Sequence, residues 1–553
     1  MDEWQLEKST PHRVYRRPLG LLEQGFYWDS QFSGTADTLQ LVSLRVEPQR
    51  VTPELLERAW NITKQRHPLL GARVEELSYR QQDFVVEESR LHSCIPGEII
   101  HDSIPSAAEA HGYADRIINS PRRLTNDLPA QLFVIRQTDD VQTTHLIIVV
   151  AHMITDGMGN FALLRTLVEA LSQPSVDVGP LEERLWLARS TNALFADSKQ
   201  PIARQRWHRA LGAVIMQLRM SGMKGGHTLP RKISAATPFT PTRSRFLHTP
   251  FSPSETKKII QSCREQKVTF GNAYHVLGQI AMTRVLHRLH LAGKISEKEW
   301  AFRQREPFMP GGPLNQRPFL DPEWYARGGS ATVNVAISFY FNRLPVMPGG
   351  KDAGAKGQKP TYDDLLSRGR FFLRARMMKA QADAFIRHPR HIDINYARLP
   401  IRVAGAAVQV ERWRAIQRSG ASDLSTEPIP AIDQAQGPNF VMAFGGSSMG
   451  NVSSYTPSLA FLLESIVPLK YPADSPETIV EILETHTRLR TRPTELYLGG
   501  ATVKGQLGLV VHYDGNVYED ALVQEWLNEV RNAVHWYLGD GARAHDAGIQ
   551  AKL

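Results

Sequence analysis

The sequence predicts an α/β fold with mixed sheets, divided between more than one domain. Three observations predict it. Apolar, β-branched runs alternate with stretches of helical periodicity along much of the chain. The 553 residues exceed what a single hydrophobic core organises. Residues 198–254 gather Pro201, Gly222, Gly225, Gly226, Pro230, Pro238, Pro241, Pro250 and Pro253, the composition of a boundary. The expected division is an N-terminal lobe at 1–197, a basic crossover at 198–254 and a C-terminal lobe at 255–553.

The elements follow in order. Gly20 to Trp28 reads as a short helix or turn leading to an aromatic cluster, and Leu39 to Val46 alternates like a strand. Thr52-Pro53-Glu54 starts a helix, with a capping hydroxyl and a proline at the first helical position. That helix stops at His67-Pro68, because a residue before proline disfavours helical torsions. Leu69 to Val74 turns into a strand, and 127–136 is a loop entering another. Thr144 to Val150 is an apolar, β-branched run read as a buried strand, and Phe161, Leu163, Leu164, Leu167, Val168 and Leu171 follow at helical spacing. Further on, helices are expected from a cap at Ser254, from Thr269 and over 363–386. Pro313 to Pro318 reads as a rigid polar turn and Val333 to Asn342 as a strand. Phe440 to Phe444 reads as a strand followed by a hydroxyl-rich loop, Gly445 to Asn451. Leu496 to Tyr513 holds two strands, and a final helix begins near Asp520.

Composition excludes several classes. Hydrophobic residues at 42% and charged residues at 22% are those of an ordinary globular enzyme rather than a disordered chain. No apolar run reaches the length of a membrane span. Two cysteines, Cys94 and Cys263, make neither a disulfide framework nor a cysteine metal site, so a reducing compartment is expected, with the cytoplasm first. The terminal Ala551-Lys552-Leu553 only loosely matches a peroxisomal address. The formal net charge of +9 comes from one place. Residues 198–254 contain no acid and ten bases: Lys199, Arg204, Arg206, Arg209, Arg219, Lys224, Arg231, Lys232, Arg243 and Arg245. Such a segment attracts a phosphorylated substrate or serves as a solvated linker. Its sparse aromatics and missing binding motifs speak against nucleic acid. His388 and His391 have a metal-compatible spacing but no third ligand, so no metal is expected.

The chemistry concentrates at His152-Met153-Ile154-Thr155-Asp156-Gly157, spacing H-x-x-x-D-G, at a strand-to-helix junction. An imidazole there can serve as a general base near neutral pH. Asp156 can accept the histidine's second N–H or pair with an arginine and fix the turn. Gly157 permits torsions or close packing that a side chain blocks. His145 lies an odd number of residues before His152 and reads as structural. The motif alone recurs by chance in roughly one chain in ten of this length, so its neighbours carry the case.

Those neighbours resemble the chloramphenicol acetyltransferase-like superfamily, which includes peptide-synthetase condensation domains. The motif matches, and Arg66-His67-Pro68-Leu69-Leu70-Gly71-Ala72-Arg73, Leu128 to Leu132, Pro313-Leu314-Asn315-Gln316-Arg317 and Phe341-Asn342-Arg343-Leu344-Pro345 resemble the family's other segments in the same order. The whole most resembles fungal O-acetyltransferases of the trichothecene 15-O-acetyltransferase kind. Ala151 stands where condensation domains usually carry a first histidine, and the plant enzymes' D-F-G-W-G is missing. The resemblance implies two lobes with mixed sheets and an active-site tunnel between them. It implies His152 as base for acyl transfer from acetyl-CoA, a co-substrate rather than a bound cofactor, to a hydroxyl of a hydrophobic metabolite. The alternatives are a carrier-protein thioester as donor, or an inactive binding homologue. Ser447, Ser448, Asn451 and Ser454 are the candidates for holding the oxyanion or substrate, and Arg317 for pairing with Asp156. A monomer is expected.

Overall fold

The computed structural model describes residues 3–9, 11–173, 176–195, 200–347, 359–420, 424–435, 440–452 and 480–541. Fifteen strands lie among them: β1 Gln5–Lys8, β2 Val14–Pro18, β3 Thr38–Val46, β4 Arg73–Ser78, β5 Gln81–Glu87, β6 Ile99–Ile104, β7 Ala130–Gln137, β8 Thr143–Val150, β9 Ser244–Pro250, β10 Gly311–Asn315, β11 Ile337–Phe341, β12 Gly445–Asn451, β13 Val480–Leu489, β14 Leu496–Val503 and β15 Gln506–Asp514. They form three sheets, in the orders β1-β2-β5-β4, β13-β3-β8-β7-β6 and β11-β10-β12-β14-β15-β9. The last two are mixed: β6 runs parallel to β7, and β12 runs parallel to both β10 and β14. The α/β class with mixed sheets is therefore the observed one.

Each of the two larger sheets carries its own helical layer. In the first lobe the helix Pro53–Arg66 packs on Gly157–Ser172 over a core that includes Trp28, Trp60, Leu146, Ile148, Leu164 and Leu167. In the second the helix Phe270–Leu291 packs on Asp520–Leu538 around Phe444, Leu498 and Trp526. The cap read at Thr52 is present, its Oγ1 accepting from the Leu55 amide at 3.4 Å. Thr269 caps the second lobe's long helix and forms a box with Asn272. The cap expected at Ser254 sits instead at Ser252, ahead of Pro253 and boxed with Glu255, because a proline at the first helical position leaves the residue before it extended.

Two segments cross the division drawn from the sequence. Ser244–Pro250, within the stretch read as a crossover, pairs with β15 as the edge of the six-stranded sheet. The same stretch also carries a long helix, Ile202–Ser221. β13, from the C-terminal part of the chain, pairs along its whole length with β3 of the first lobe. The polar turn expected at 313–318 is strand β10 followed by a short helical turn, Arg317–Phe319. The strand and loop expected over 440–451 are exchanged. Gly445–Asn451 is the strand, since only a residue without Cβ fits at Gly446, whose added Cβ would lie 2.4 Å from the Leu498 carbonyl.

The buried histidines make stability depend on pH. Burial pushes His67, His227, His275 and His512 down from 6.5 to about 3. Below 6.5 the unfolded chain binds protons at these positions that the native state refuses until near 3. Stability therefore falls as pH drops through that window, at about 1.4 kcal/mol per histidine per pH unit. Thermal unfolding should show a marked loss of Tm from pH 7 to pH 5, and a flat profile there would contradict this.

Candidate active site

β8 is paired on both sides, with β3 and β7, up to Val150. The chain then turns, with the Ile154 amide donating to the Ala151 carbonyl at 3.1 Å. Ala151, Met153 and Ile154 sink into the core, which leaves His152 as the side chain of this turn that faces the other way, into a cavity of about 750 Å³. The cavity runs between the two larger sheets. Its walls come from β13 on one side and from β10, β12, β14 and β15 on the other. The cavity lies where the resemblance implied a tunnel.

The imidazole lies face to face with Phe26, centroids 4.0 Å apart and rings parallel. The Arg402 guanidinium sits 4.2 Å from the centroid of Phe26 and that of Arg492 lies 5.7 Å from it. Asp29 binds both cations, Arg492 Nη2 donating to its Oδ2 at 2.8 Å and Arg402 pairing with the same oxygen. Burial is the main force on His152 and lowers its pKa to about 4. Its own carbonyl and Asp156 push upward, and Arg492 and Arg402 push downward. One ring edge opens on the cavity, so the residue keeps some accessible area while protein surrounds the rest. Nδ1 is sealed in without a hydrogen-bond partner of good geometry, so Nε2 is the nitrogen that meets the cavity. The imidazole is thus neutral at physiological pH.

Asp156 does not touch the imidazole's sealed nitrogen. Its Oδ1 accepts from the Gly159 amide at 2.9 Å and so caps the helix Gly157–Ser172. Its Oδ2 accepts from Arg317 Nη1 and from the Ala336 amide, both at 2.8 Å. Arg317 Nη2 also donates to the carbonyl and side-chain oxygens of Asn334, each at 2.9 Å. Both members of the pair are 1% exposed. Burial alone would raise the aspartate's pKa, but the Arg317 charge and these hydrogen bonds bring it below the usual range. Gly157 opens on the cavity beside Met449, where an added Cβ would meet the Met449 methyl at 3.3 Å. The tighter position is Gly159, whose Cβ would lie 2.7 Å from Thr155 Oγ1.

Strand alternation separates the serine candidates. Ser447 lines the cavity with Gly445 and Met449, whereas Ser448 points to the opposite face, against Gly271 of the helix behind the sheet. Asn451 ends β12 on the exposed side, away from the cavity. Ser454 lies outside the described residues. Lys199 lies outside the described residues, and the nine described bases of 198–254 do not line this cavity. Arg398, Arg402, Arg488, Arg492 and Lys504 do. His145 is structural, held by Ser43 Oγ at 2.8 Å and Gln137 Oε1 at 3.1 Å. The described residues hold one cluster with metal-ligand spacing, His111, Glu484 and His486, and it does not involve His388 or His391. Arg488 Nη2 lies 2.9 Å from His111 Nδ1 and donates to it, which ties the cluster into a hydrogen-bonded network. Phe26, Asp29, Arg402 and Arg492 were not singled out in the sequence, where nothing local relates them to His152.

No protein-family model and no curated protein matches the sequence. Solved structures do match. The TRI3 trichothecene 15-O-acetyltransferase of Fusarium sporotrichioides aligns over 97% of this chain and 98% of its own, with TM-score 0.64 at 13% identity. The fold is that of the chloramphenicol acetyltransferase-like and condensation-domain proteins. The condensation domain of the monacolin K polyketide synthase MokA aligns over 95% and 98%, with TM-score 0.58 at 11% identity. The EpoB cyclization-docking bidomain of Sorangium cellulosum aligns over 95% and 85%, with TM-score 0.57 at 16% identity. The shared fold therefore extends over nearly the whole of this chain.

The buried pair gives a stability prediction. Arg317→Ala leaves the Asp156 carboxylate uncompensated in the interior and should cost about 3–5 kcal/mol, read as a lowered urea midpoint. Asp156→Asn together with Arg317→Met should recover part of that loss. Equal midpoints for wild type and Arg317→Ala would show that the pair does not hold the turn.

Proposed function

We propose that this protein is an acyltransferase that carries an acyl group, acetyl in the first instance, from coenzyme A to a hydroxyl of a hydrophobic metabolite. The observation that carries the reading is the neutral His152 imidazole, whose Nε2 faces a cavity built from both lobes. Such a cavity lets two large substrates approach one base from different directions. His152 Nε2 takes the proton as the hydroxyl oxygen attacks the thioester carbonyl. The tetrahedral intermediate collapses, the carbon–sulfur bond breaks, and the thiolate leaves with the proton returned from His152. Acid, base and nucleophile balance without a covalent acyl-enzyme. Ser447 is our candidate for the oxyanion donor, because it lines the cavity and Ser448 does not. Phe339, Phe341 and Met442 give the acceptor an apolar wall. The acetyl donor and a trichothecene-type acceptor are drawn from the likeness to the TRI3 enzyme.

A second reading has its own support. The condensation and cyclization domains that share the fold belong to polyketide and peptide synthetases, so a carrier-protein thioester is the alternative donor. Turnover of acetyl-CoA with a panel of alcohols and no carrier protein separates the two. Product from free acetyl-CoA supports the first, and product only from an acyl carrier protein supports the second.

His152→Ala should lower kcat by about 10²–10⁴-fold, measured as thiol release. The pH dependence follows from the depressed pKa. His152 is unprotonated above about 4, so kcat/KM should stay level from pH 7 down to pH 5 and fall tenfold per unit below about 4. An acid limb near 6.5 would mean that the imidazole is not the buried base described here.

A further inference from the structure

The basic segment of the sequence takes no part in the main cavity, and much of it forms the helix Ile202–Ser221. Of the twenty residues of this helix only His208 and Gly212 are buried. The helix is held by a close approach to the short helix His391–Tyr396, where an added Cβ at Gly212 would lie 2.6 Å from the backbone of Asp393. Its outward face reverses the usual pattern of a surface helix. Trp207, Val214 and Leu218 are 63%, 56% and 69% exposed, and half-buried Leu211 falls between them. Steps of four, three and four residues put these side chains in one stripe along the helix. Arg204 and Arg206 stand on either side of it, about 60° and 100° around the axis from Trp207. Both are exposed, as is Lys224 just past the helix, and none of the three pairs with a carboxylate among the described residues. Arg209 and Arg219 instead lie over Tyr396 and Phe385, 4.6 and 5.3 Å from the ring centroids. No Asp or Glu occurs from Ser198 to Ser254. The helix Leu399–Ser419, which shares a cavity wall with Met216 and Met220, also exposes Ile401 and Val408.

An exposed indole and a row of exposed aliphatic side chains add nothing to the core, so a contiguous stripe of them marks a surface that something else covers. The charge beside the stripe selects what covers it. A second copy of this chain would set the same arginines against each other across a two-fold axis, with like charges repelling. An anionic bilayer is complementary to both parts of the surface. The indole and aliphatic groups enter the boundary between headgroups and acyl chains, and the guanidiniums reach back on their long stems to lipid phosphates. A helix of this length spans about 30 Å, enough for the stripe to touch several lipids at once. We propose that the helix Ile202–Ser221 docks the protein on an anionic membrane surface. It lies in the plane of the interface, with Trp207, Leu211, Val214 and Leu218 toward the acyl chains and Arg204 and Arg206 at the headgroups. The docking rests on exposure and charge and not on the acyl-transfer reading.

The test is co-sedimentation of the whole protein with vesicles of phosphatidylcholine, and of phosphatidylcholine with roughly one third phosphatidylserine. Partition onto the anionic vesicles should be at least about tenfold higher, and salt near 1 M, where the Debye length is about 3 Å, should remove most of the difference. Arg204→Gln and Arg206→Gln should each lower that partition about fivefold. Trp207→Ser combined with Leu218→Ser should lower it by about tenfold or more. Both of those side chains are already in solvent, so the unfolding midpoint should not move, and the arginine variants decide the matter if it does. Brominated acyl chains should quench the tryptophan emission of the wild type more than that of Trp207→Phe. Equal partition onto the two kinds of vesicle, no partition onto either, a partition unchanged in the arginine variants or in a folded double serine variant, or a quench unchanged in Trp207→Phe would overturn the docking. A wild-type dimer in solution that the double serine variant dissociates would assign the stripe to a second copy and overturn it as well.

Discussion

The Asp156–Arg317 pair is the constraint on which the rest of the site depends. Two charges this deeply buried are costly to desolvate, and only a full set of partners offsets that cost. Here the set is complete on the carboxylate: the Gly159 and Ala336 amides and the Arg317 guanidinium use both oxygens. Those partners come from three places. Gly159 belongs to the helix after His152, Arg317 follows β10, and Ala336 precedes β11. One carboxylate therefore fixes the start of a first-lobe helix to two segments of the second lobe's sheet. The position of His152, four residues before Asp156, is set by the same lock. β13 adds a second constraint, since it threads back to pair with β3 and lines the cavity along much of its length. That ladder anchors the C-terminal part of the chain on the first lobe's sheet.

The electrostatics of His152 follow from packing rather than from a partner. A triad would raise the basicity of the imidazole with a carboxylate, but Asp156 spends its oxygens elsewhere. The ring is instead stacked on Phe26, itself flanked by two guanidiniums whose charge Asp29 partly balances. Burial and those cations favour the neutral ring near neutrality. On the proposed acyl-transfer reading this keeps the imidazole able to accept a proton at the cost of weaker basicity, which stabilisation of the intermediate and close positioning of the hydroxyl would have to offset.

Local signals were legible in the sequence and non-local ones were not. Thr52-Pro53 and Thr269 mark helix starts because capping is decided within four residues. The strand before His152 is legible because it is buried on both faces and largely β-branched. The motif, and through it the resemblance, led to Arg317, since both stand in recognisable segments. By contrast β12 is read as a loop from its own residues. Its glycines are required by the Leu498 carbonyl and the Tyr274 ring, which no local pattern reveals. β13 carries polar residues on its cavity-facing side and owes its strand state to the whole length of β3. The boundary drawn at 198–254 followed proline and glycine content, yet a long helix and an edge strand lie inside it because their partners are elsewhere in the chain. Phe26 is 126 positions from His152, and only tertiary packing stacks the two rings.

The helix Leu399–Ser419 links these themes. It packs on Leu21–Gln31, the helix that carries Phe26 and Asp29, so one contact sets both the stack on His152 and the position of Arg402. Arg402 Nη2 is tied to Asp29, and its Nη1 is buried against Gly25 of the same Leu21–Gln31 helix. The guanidinium that helps hold the imidazole neutral is therefore fixed by the helix that also carries the ring stacked on that imidazole, so a shift of either helix would move the stack and the charge together.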